Sequence, residues 1–238
     1  MHGTLIGLLG ADVWPQGRLC RAAVAAVAVS LATVRATVAG GQMPGAPVLQ
    51  NAWATPGVVG AIDFASGADG TVFAAAASWS PASGRMALSG GFGSRRITSI
   101  GSRSVYGLRL AIPFGGGPSS NVGFAVFAGA GGSGGGRRAV GDSIESKSEV
   151  PLGAAIGWRR ALGATHGLSI YASPSYLLLS GGTKSGGLVR GAVGADVGLT
   201  TSLGLTAGVE FGQTRGRAIG GPSGTLFGVG LAYAFGRR

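Results

Sequence analysis

Residues 227–235 read FGVGLAYAF, and every second position carries a large apolar side chain: Phe227, Val229, Leu231, Tyr233 and Phe235. Between them stand Gly228, Gly230, Ala232 and Ala234. Successive side chains of an extended chain point to opposite faces, so this stretch has one bulky apolar face and one nearly bare face. The division recurs upstream. Tyr106, Leu108, Leu110, Ile112 and Phe114 alternate with Val105, Gly107, Arg109 and Ala111. Val150, Leu152, Ala154, Ile156 and Trp158 alternate with Gly153, Ala155, Gly157 and Arg159, and Leu205, Ala207, Val209 and Phe211 with Gly204, Thr206, Gly208, Glu210 and Gly212. From residue 57 onward no helical period competes.

A water-soluble sandwich turns its bulky residues inward and carries Lys, Glu and Thr on the other face. Here the other face is mostly Gly and Ala. Small residues around a narrow interior and bulky ones facing hydrocarbon is the inverted order of a small transmembrane β-barrel, with strands of about 9–11 residues. The predicted fold is all-β: a single antiparallel up-and-down transmembrane barrel of about ten strands, at 58–65, 71–79, 85–94, 103–114, 121–131, 149–160, 167–179, 188–200, 204–213 and 224–235. Losing or merging the 58–65 segment gives an alternative of eight. The connections fall into two classes, 66–70, 95–102, 132–148, 180–187 and 214–223 at one end, and the shorter 80–84, 115–120, 161–166 and 201–203 at the other. Short periplasmic turns and longer external loops have this asymmetry.

Composition agrees. The chain has 238 residues, of which 49 are Gly, about three times the ordinary ~7 %. Each interior Gly costs a helix about 1 kcal/mol relative to Ala, so helix-length windows hardly survive. Gly does not recur every third residue, which excludes collagen. Hydrophobic residues at 45 % and charged residues at only 11 % are the wrong composition for disorder.

Residues 1–40 read as a secretory signal peptide with an overlong n-region: Arg18 and Arg21, an apolar stretch from Ala22 to Thr33, then small residues around Thr37, Ala39 and Gly40. The apolar stretch is too short to cross a bilayer as a helix. Cys20, the single cysteine, precedes that stretch within the leader, so no disulfide and no multi-cysteine metal site is expected. Residues 41–56 are expected as an N-terminal periplasmic segment, and 57–238 as the barrel.

The pattern over 57–238 resembles the small outer-membrane β-barrel proteins of bacteria, of the OmpA transmembrane-domain type. The terminal Phe227 to Phe235 series, ending Tyr233-Ala234-Phe235, is similar to the C-terminal strand read by the barrel-assembly machinery, although Gly236-Arg237-Arg238 follow it here. The resemblance implies residence in a bacterial outer membrane. It carries no functional residues over.

Net charge is +11, with 19 Lys+Arg against 8 Asp+Glu, and the cations are spread along the chain. Anionic lipid, whose phosphates arginine grips bidentately, is therefore expected as partner in preference to nucleic acid. On inward-facing positions stand Asp63, Arg109, Arg159, Arg190, Asp196 and Glu210, three of each sign, expected to pair within the lumen or to line a thin pore. The external loops are expected to carry Arg95, Arg96, Arg103, Arg137, Arg138, Lys147, Lys184, Arg215 and Arg217 against Asp69, Asp142, Glu145 and Glu149. Of these, Arg95, Arg96, Arg103, Arg137, Arg138, Arg215 and Arg217 are candidate contacts for lipopolysaccharide phosphates, the alternative being a solvated charged rim. The Gly-rich 129–138 stretch lacks the Gly-Lys-Ser/Thr of a phosphate-binding loop.

No catalytic, cofactor or metal site is expected. His166, the one histidine after the leader, falls in a turn at the short-loop end, far in sequence from any acid. Trp53, Trp79, Tyr106, Trp158, Tyr171, Tyr176, Tyr233 and Phe235 are candidate interfacial aromatics. Three functions remain open: an outer-membrane barrel with a structural, envelope-stabilising or surface-contact role, a small pore or transporter for polar solutes, and a secreted soluble Gly-rich adhesin-like β protein.

Overall fold

The computed structural model describes residues 50–67, 70–97, 101–115, 120–134, 136–137, 143–144, 146–163, 166–181, 184–215 and 225–235. The expected leader lies outside the described residues. In chain order the strands are β1 (Gly57–Gly67), β2 (Gly70–Ser80), β3 (Ala87–Ile97), β4 (Gly101–Phe114), β5 (Val122–Ser133), β6 (Gly136–Arg137), β7 (Ser143–Ile144), β8 (Lys147–Ala161), β9 (Gly167–Gly181), β10 (Lys184–Gly198), β11 (Leu203–Arg215) and β12 (Leu226–Phe235). Ten of them close into one antiparallel up-and-down barrel, while β6 and β7 pair only with each other inside the 134–146 connection. The eight-strand alternative falls away because β1 is a full member. It pairs with β2 along its whole length and with β12 from Val58↔Phe235 to Gly67↔Leu226, and this last ladder closes the barrel.

Side-chain direction follows the alternation. Phe227, Val229, Leu231, Tyr233 and Phe235 all face out, Phe227 at 63 % exposure and Leu231 at 40 %, while Leu226, Gly228, Gly230 and Ala234 are buried inside. Ile62, Phe64, Phe73, Phe92, Leu108, Ile112, Ile156, Val193 and Phe211 continue this apolar exterior around the circumference. Where the sequence does not alternate, the barrel still does. In the run Leu177-Leu178-Leu179 the outer two point inward and pack with Leu188, and Leu178 faces out.

The barrel has a turn end and a loop end. Local hydrogen bonds shape the described turns at 81–86 and 199–202. Gly84, at φ +63°, donates its N–H to the Pro81 carbonyl at 2.9 Å, a left-handed position that suits Gly. The Thr200 hydroxyl accepts the N–H groups of Ser202 and Leu203 at 3.2 and 2.9 Å. At the loop end the expected long connections shrink. Strand pairing runs past most of the sequence limits, from one residue at Gly70 to four at Lys184, with β3 reaching Ile97 and β4 beginning at Gly101, whereas β12 begins two residues later than expected, at Leu226. Ladder bonds satisfied by pairing outweigh the loop propensity of Gly and Ser there.

Pro113, Pro151 and Pro174 sit inside strands. Pairing of β5 with β8 lapses opposite Pro151, and pairing of β8 with β9 lapses opposite Pro174, in each case resuming in unchanged register. A residue without N–H cannot donate to the ladder, and the continuous bonds on both sides hold the strand in place.

Glycine serves both faces, not the inner face alone. A Cβ at Gly153 would stand 2.4 Å from the Phe127 ring, and one at Gly194 would stand 2.5 Å from the Tyr171 hydroxyl, both inside the barrel. Outside, the rings of Tyr176 and Phe211 lie over Gly187 and Gly191. Aromatic side chains covering strand glycines restore packing that the bare positions lack.

The outward Ile62, at mid-strand, gives a direct check. Ile62→Arg should lower unfolding free energy in lipid vesicles by about 2–4 kcal/mol, whereas Leu162→Arg, in an exposed turn, should cost about 0–1 kcal/mol. Urea titration followed by tryptophan emission measures both.

Candidate functional site

The interior is a filled column of side chains in three tiers, and the first is made by the segment before β1. Of the expected N-terminal segment, residues 50–56 are described and enter the barrel; Gln50 and Ala52 are buried, and Ala52 packs on Ala125 and Ala155 of the inner wall. Asn51 Nδ2 donates to Ser169 Oγ at 2.6 Å and to Asp196 Oδ2 at 2.5 Å. Thr206 Oγ1 donates to the other Asp196 oxygen at 2.6 Å. Among the described residues Asp196 is therefore held by neutral donors. Trp53 lies against Gly123 and Gly157, where any Cβ would collide with its ring. The Arg159 guanidinium stacks over that ring at 3.8 Å. Arg159 is thus on the inward register but exposed at the turn-end mouth.

The middle tier holds Asp63, Arg109, Phe127, Tyr171 and Ser173. Arg109 lies over the Phe127 ring at 4.0 Å and reaches the Gln50 carbonyl through Nη2 at 3.5 Å, tying the entering segment to β4. A guanidinium on an aromatic face in a desolvated space gains about 2 kcal/mol. Tyr171, expected as an interfacial aromatic, is buried here, among the charges of Asp196, Asp63, Arg109 and Glu210. Trp53 is likewise internal. The alternation of β9 misleads at Tyr171 because Gly194 across the ladder leaves room for a large ring on the inner face.

The third tier is at the loop end. Arg190 Nε stands 2.9 Å from Glu210 Oε1, both side chains 6 % exposed. Arg95, Arg103 and Glu149 are buried beside them, and Lys147 is half-buried. Arg95 and Arg103 were expected in a loop reaching lipopolysaccharide. Instead they are direct cross-strand partners on the inner face, because β3 continues to Ile97 and β4 begins at Gly101. Their parity with Arg109 was the available signal, since positions 103 and 109 share a face of one strand. Arg96, on the opposite face, is exposed. Arg138 and Arg217 lie outside the described residues, as do the side chains of Arg137, Arg215 and Lys184.

Apolar packing fills the space around the charges. Ala65, Val72, Ala74 and Val105 form one inward cluster and Leu177, Leu179 and Leu188 another. A cavity of about 230 Å³ remains at the turn end, lined by Asn51, Trp53, Asp196, Thr200 and Thr206 among others, and about 50 Å³ remains beside Arg109 and Ala54. Among the described residues no group of three His, Cys, Asp or Glu side chains is arranged to hold a metal ion. His166 is exposed in its turn, its carbonyl accepting the Leu162 N–H at 3.0 Å.

On the outer surface, Trp79, Phe114, Phe124, Trp158, Tyr233 and Phe235 stand near the turn end of their strands. Phe114 and Phe124 are stacked at 6.1 Å between centroids, and Tyr233 meets Phe235 edge-on at 5.0 Å.

Neither a protein-family model nor a curated protein matches the chain. Among solved structures, it is similar to the β domain of the Bordetella autotransporter BrkA, at 18 % identity and a TM-score of 0.43, covering 76 % of this chain and 100 % of that one.

Removing one partner of a buried ion pair leaves the other charge uncompensated. Glu210→Ala should destabilise the barrel by about 3–5 kcal/mol, and the double variant Arg190→Met, Glu210→Leu should recover most of that loss. Denaturant midpoints of the three proteins in the same vesicles test it.

Proposed function

We propose that the chain is an integral protein of a bacterial outer membrane, non-enzymatic, whose closed barrel has a structural, envelope-stabilising or surface-contact role. The observation that carries this reading is the inverted exterior: large apolar side chains exposed on all sides of a barrel whose small and charged residues face in. Exposed apolar surface on this scale has no counterpart on a soluble monomer and fits hydrocarbon. The closed ladder also fits, because a barrel has no unpaired strand edge to desolvate. Trp79, Trp158 and Tyr233 near the turn end suit the headgroup boundary. Arg96 is exposed at the loop end, which fits a contact with lipopolysaccharide phosphate.

A non-conducting state is supported by the lumen contents. Segment 50–56, the Arg109–Phe127 stack and the leucine cluster stand across the path.

Two measurements check the proposal. In outer-membrane fractions the unboiled protein should resist SDS and migrate differently from the boiled protein; identical migration, or a monomer soluble in plain buffer, would refute membrane residence. In planar bilayers the refolded protein should show no steady open state. The double variant Asn51→Ala, Trp53→Ala, which loosens the turn-end segment, should show frequent openings; a wild type that conducts steadily would favour the pore.

A further inference from the structure

We propose that the turn-end rim of the barrel is a docking surface for acidic glycerophospholipid, with Arg85 and Arg160 gripping headgroup phosphates beside the outward tryptophans Trp79 and Trp158. This rests on the membrane residence proposed above and adds the leaflet, the lipid class and the residues. Its first support is a charge balance that the amino-acid sequence closes by itself. The connections 81–86, 115–121, 162–166 and 199–202, the segment 38–56 and the residues 236–238 contain no Asp or Glu. The same stretches and the adjoining end of β8 carry Arg85, Arg159, Arg160, Arg237 and Arg238. The connections at the other end mix both signs, with Asp69, Asp142 and Glu145 among their arginines. Asp196 belongs to the lumen, where Asn51 and Thr206 hold it.

The second support is where two of these arginines stand. Trp158 and Arg160 share the outward register of β8, two residues apart, and both are exposed. Trp158 pairs with Val122 on one side and Ile170 on the other, and Arg160 pairs with Leu168, so the guanidinium tops an apolar wall. On another sector Trp79 of β2 pairs with Leu88 of β3, and Arg85 is exposed in the turn that joins the two strands. Trp79 and Trp158 are the outward tryptophans among the described residues, and each has an arginine beyond it toward the turn end. An indole at the hydrocarbon boundary and a guanidinium just past it meet two successive parts of one lipid, the acyl–glycerol region and the phosphate. Arg159 has the other register and lies over Trp53 at 3.8 Å, so it belongs to the lumen. The two arginine–tryptophan pairs are separated by β4 and β5. Sites distributed round a perimeter suit a leaflet that surrounds the barrel better than a soluble partner seated on one patch. Short turns mark the periplasmic end of such barrels, so the leaflet is the inner one. A negatively charged lipid surface attracts arginines held at its headgroup level.

The test uses the full chain folded in zwitterionic micelles. SDS-resistant migration of the unboiled sample confirms the barrel in every variant, so a failure here is distinct from a failure of the membrane reading. Phosphatidylglycerol and phosphatidylcholine are added in equal amounts, and native mass spectrometry follows the lipids retained as their concentration is raised. The expected result is retention of phosphatidylglycerol at concentrations about 10-fold below those needed for phosphatidylcholine, with one tight lipid for each arginine–tryptophan pair. Arg160→Gln and Arg85→Gln should each weaken one of these by about 3–10-fold, and the double variant both. Arg160→Lys and Arg85→Lys, which keep the charge without the fork, should weaken them less. Arg159→Gln makes the same change in net charge one residue away and should leave retention as in the wild type. Equal retention of the two lipids by the SDS-resistant wild type, or a loss in Arg159→Gln as large as in Arg160→Gln, would overturn the proposal. A polyglutamate peptide that displaces the phosphatidylglycerol would also overturn it and assign the rim to a soluble acidic partner.

Discussion

The ladder between β1 and β12 is the constraint on which the remainder depends. Backbone N–H and C=O groups cannot be left unpaired in hydrocarbon, where each costs several kcal/mol, so a sheet that enters a membrane must close on itself. From Val58↔Phe235 to Gly67↔Leu226 the first and last strands exchange the bonds that would otherwise form two open edges. Closure then divides every strand into an outside and an inside, and a one-residue slip anywhere would turn Phe227 or Ile62 into the lumen. The lapses opposite Pro151 and Pro174 are tolerated because register is held on both sides of them.

Closure at ten strands also sets the interior width, and the contents answer to it. A barrel of this size encloses side chains and little else. Rings from Phe127 and Tyr171 fit only where Gly153 and Gly194 stand across from them, and Trp53 fits only over Gly123 and Gly157. The abundance of glycine thus has a packing cause as well as a conformational one. It makes room in a narrow column for a few large groups, and on the outside it lets Tyr176 and Phe211 lie flat on the wall. Charges inside are compensated in three different ways: by a cation for Glu210, by hydroxyl and amide donors for Asp196, and by an aromatic face for Arg109. At the loop end Arg95 and Arg103 stand opposite each other across the β3–β4 ladder.

The strand pattern was legible because its signal is local. Alternation of Phe227 to Phe235 with Gly and Ala identifies a two-faced strand from neighbouring residues alone, and the same reasoning places Asp63, Arg109, Arg190 and Glu210 on the inner face. It failed at strand ends, where a Gly or Ser after an arginine reads as loop. Only the neighbouring strand decides whether its amides are paired, and pairing carries Arg95, Arg103 and Lys147 into the wall.

What the amino-acid sequence by itself determined is the fold class and which face of each strand is bulky, since both follow from a period of two read along the chain, whereas the choice of ten strands over eight waited on the β1–β12 ladder. The contents of the lumen were decided by tertiary structure alone. That Asn51 reaches Asp196, that Tyr171 turns inward and that Arg95 meets Arg103 are consequences of which positions close registration brings opposite one another. A contact such as Asn51–Asp196, across 145 positions, leaves no trace in local periodicity, because the chain between them can be long or short without changing the pattern of either end.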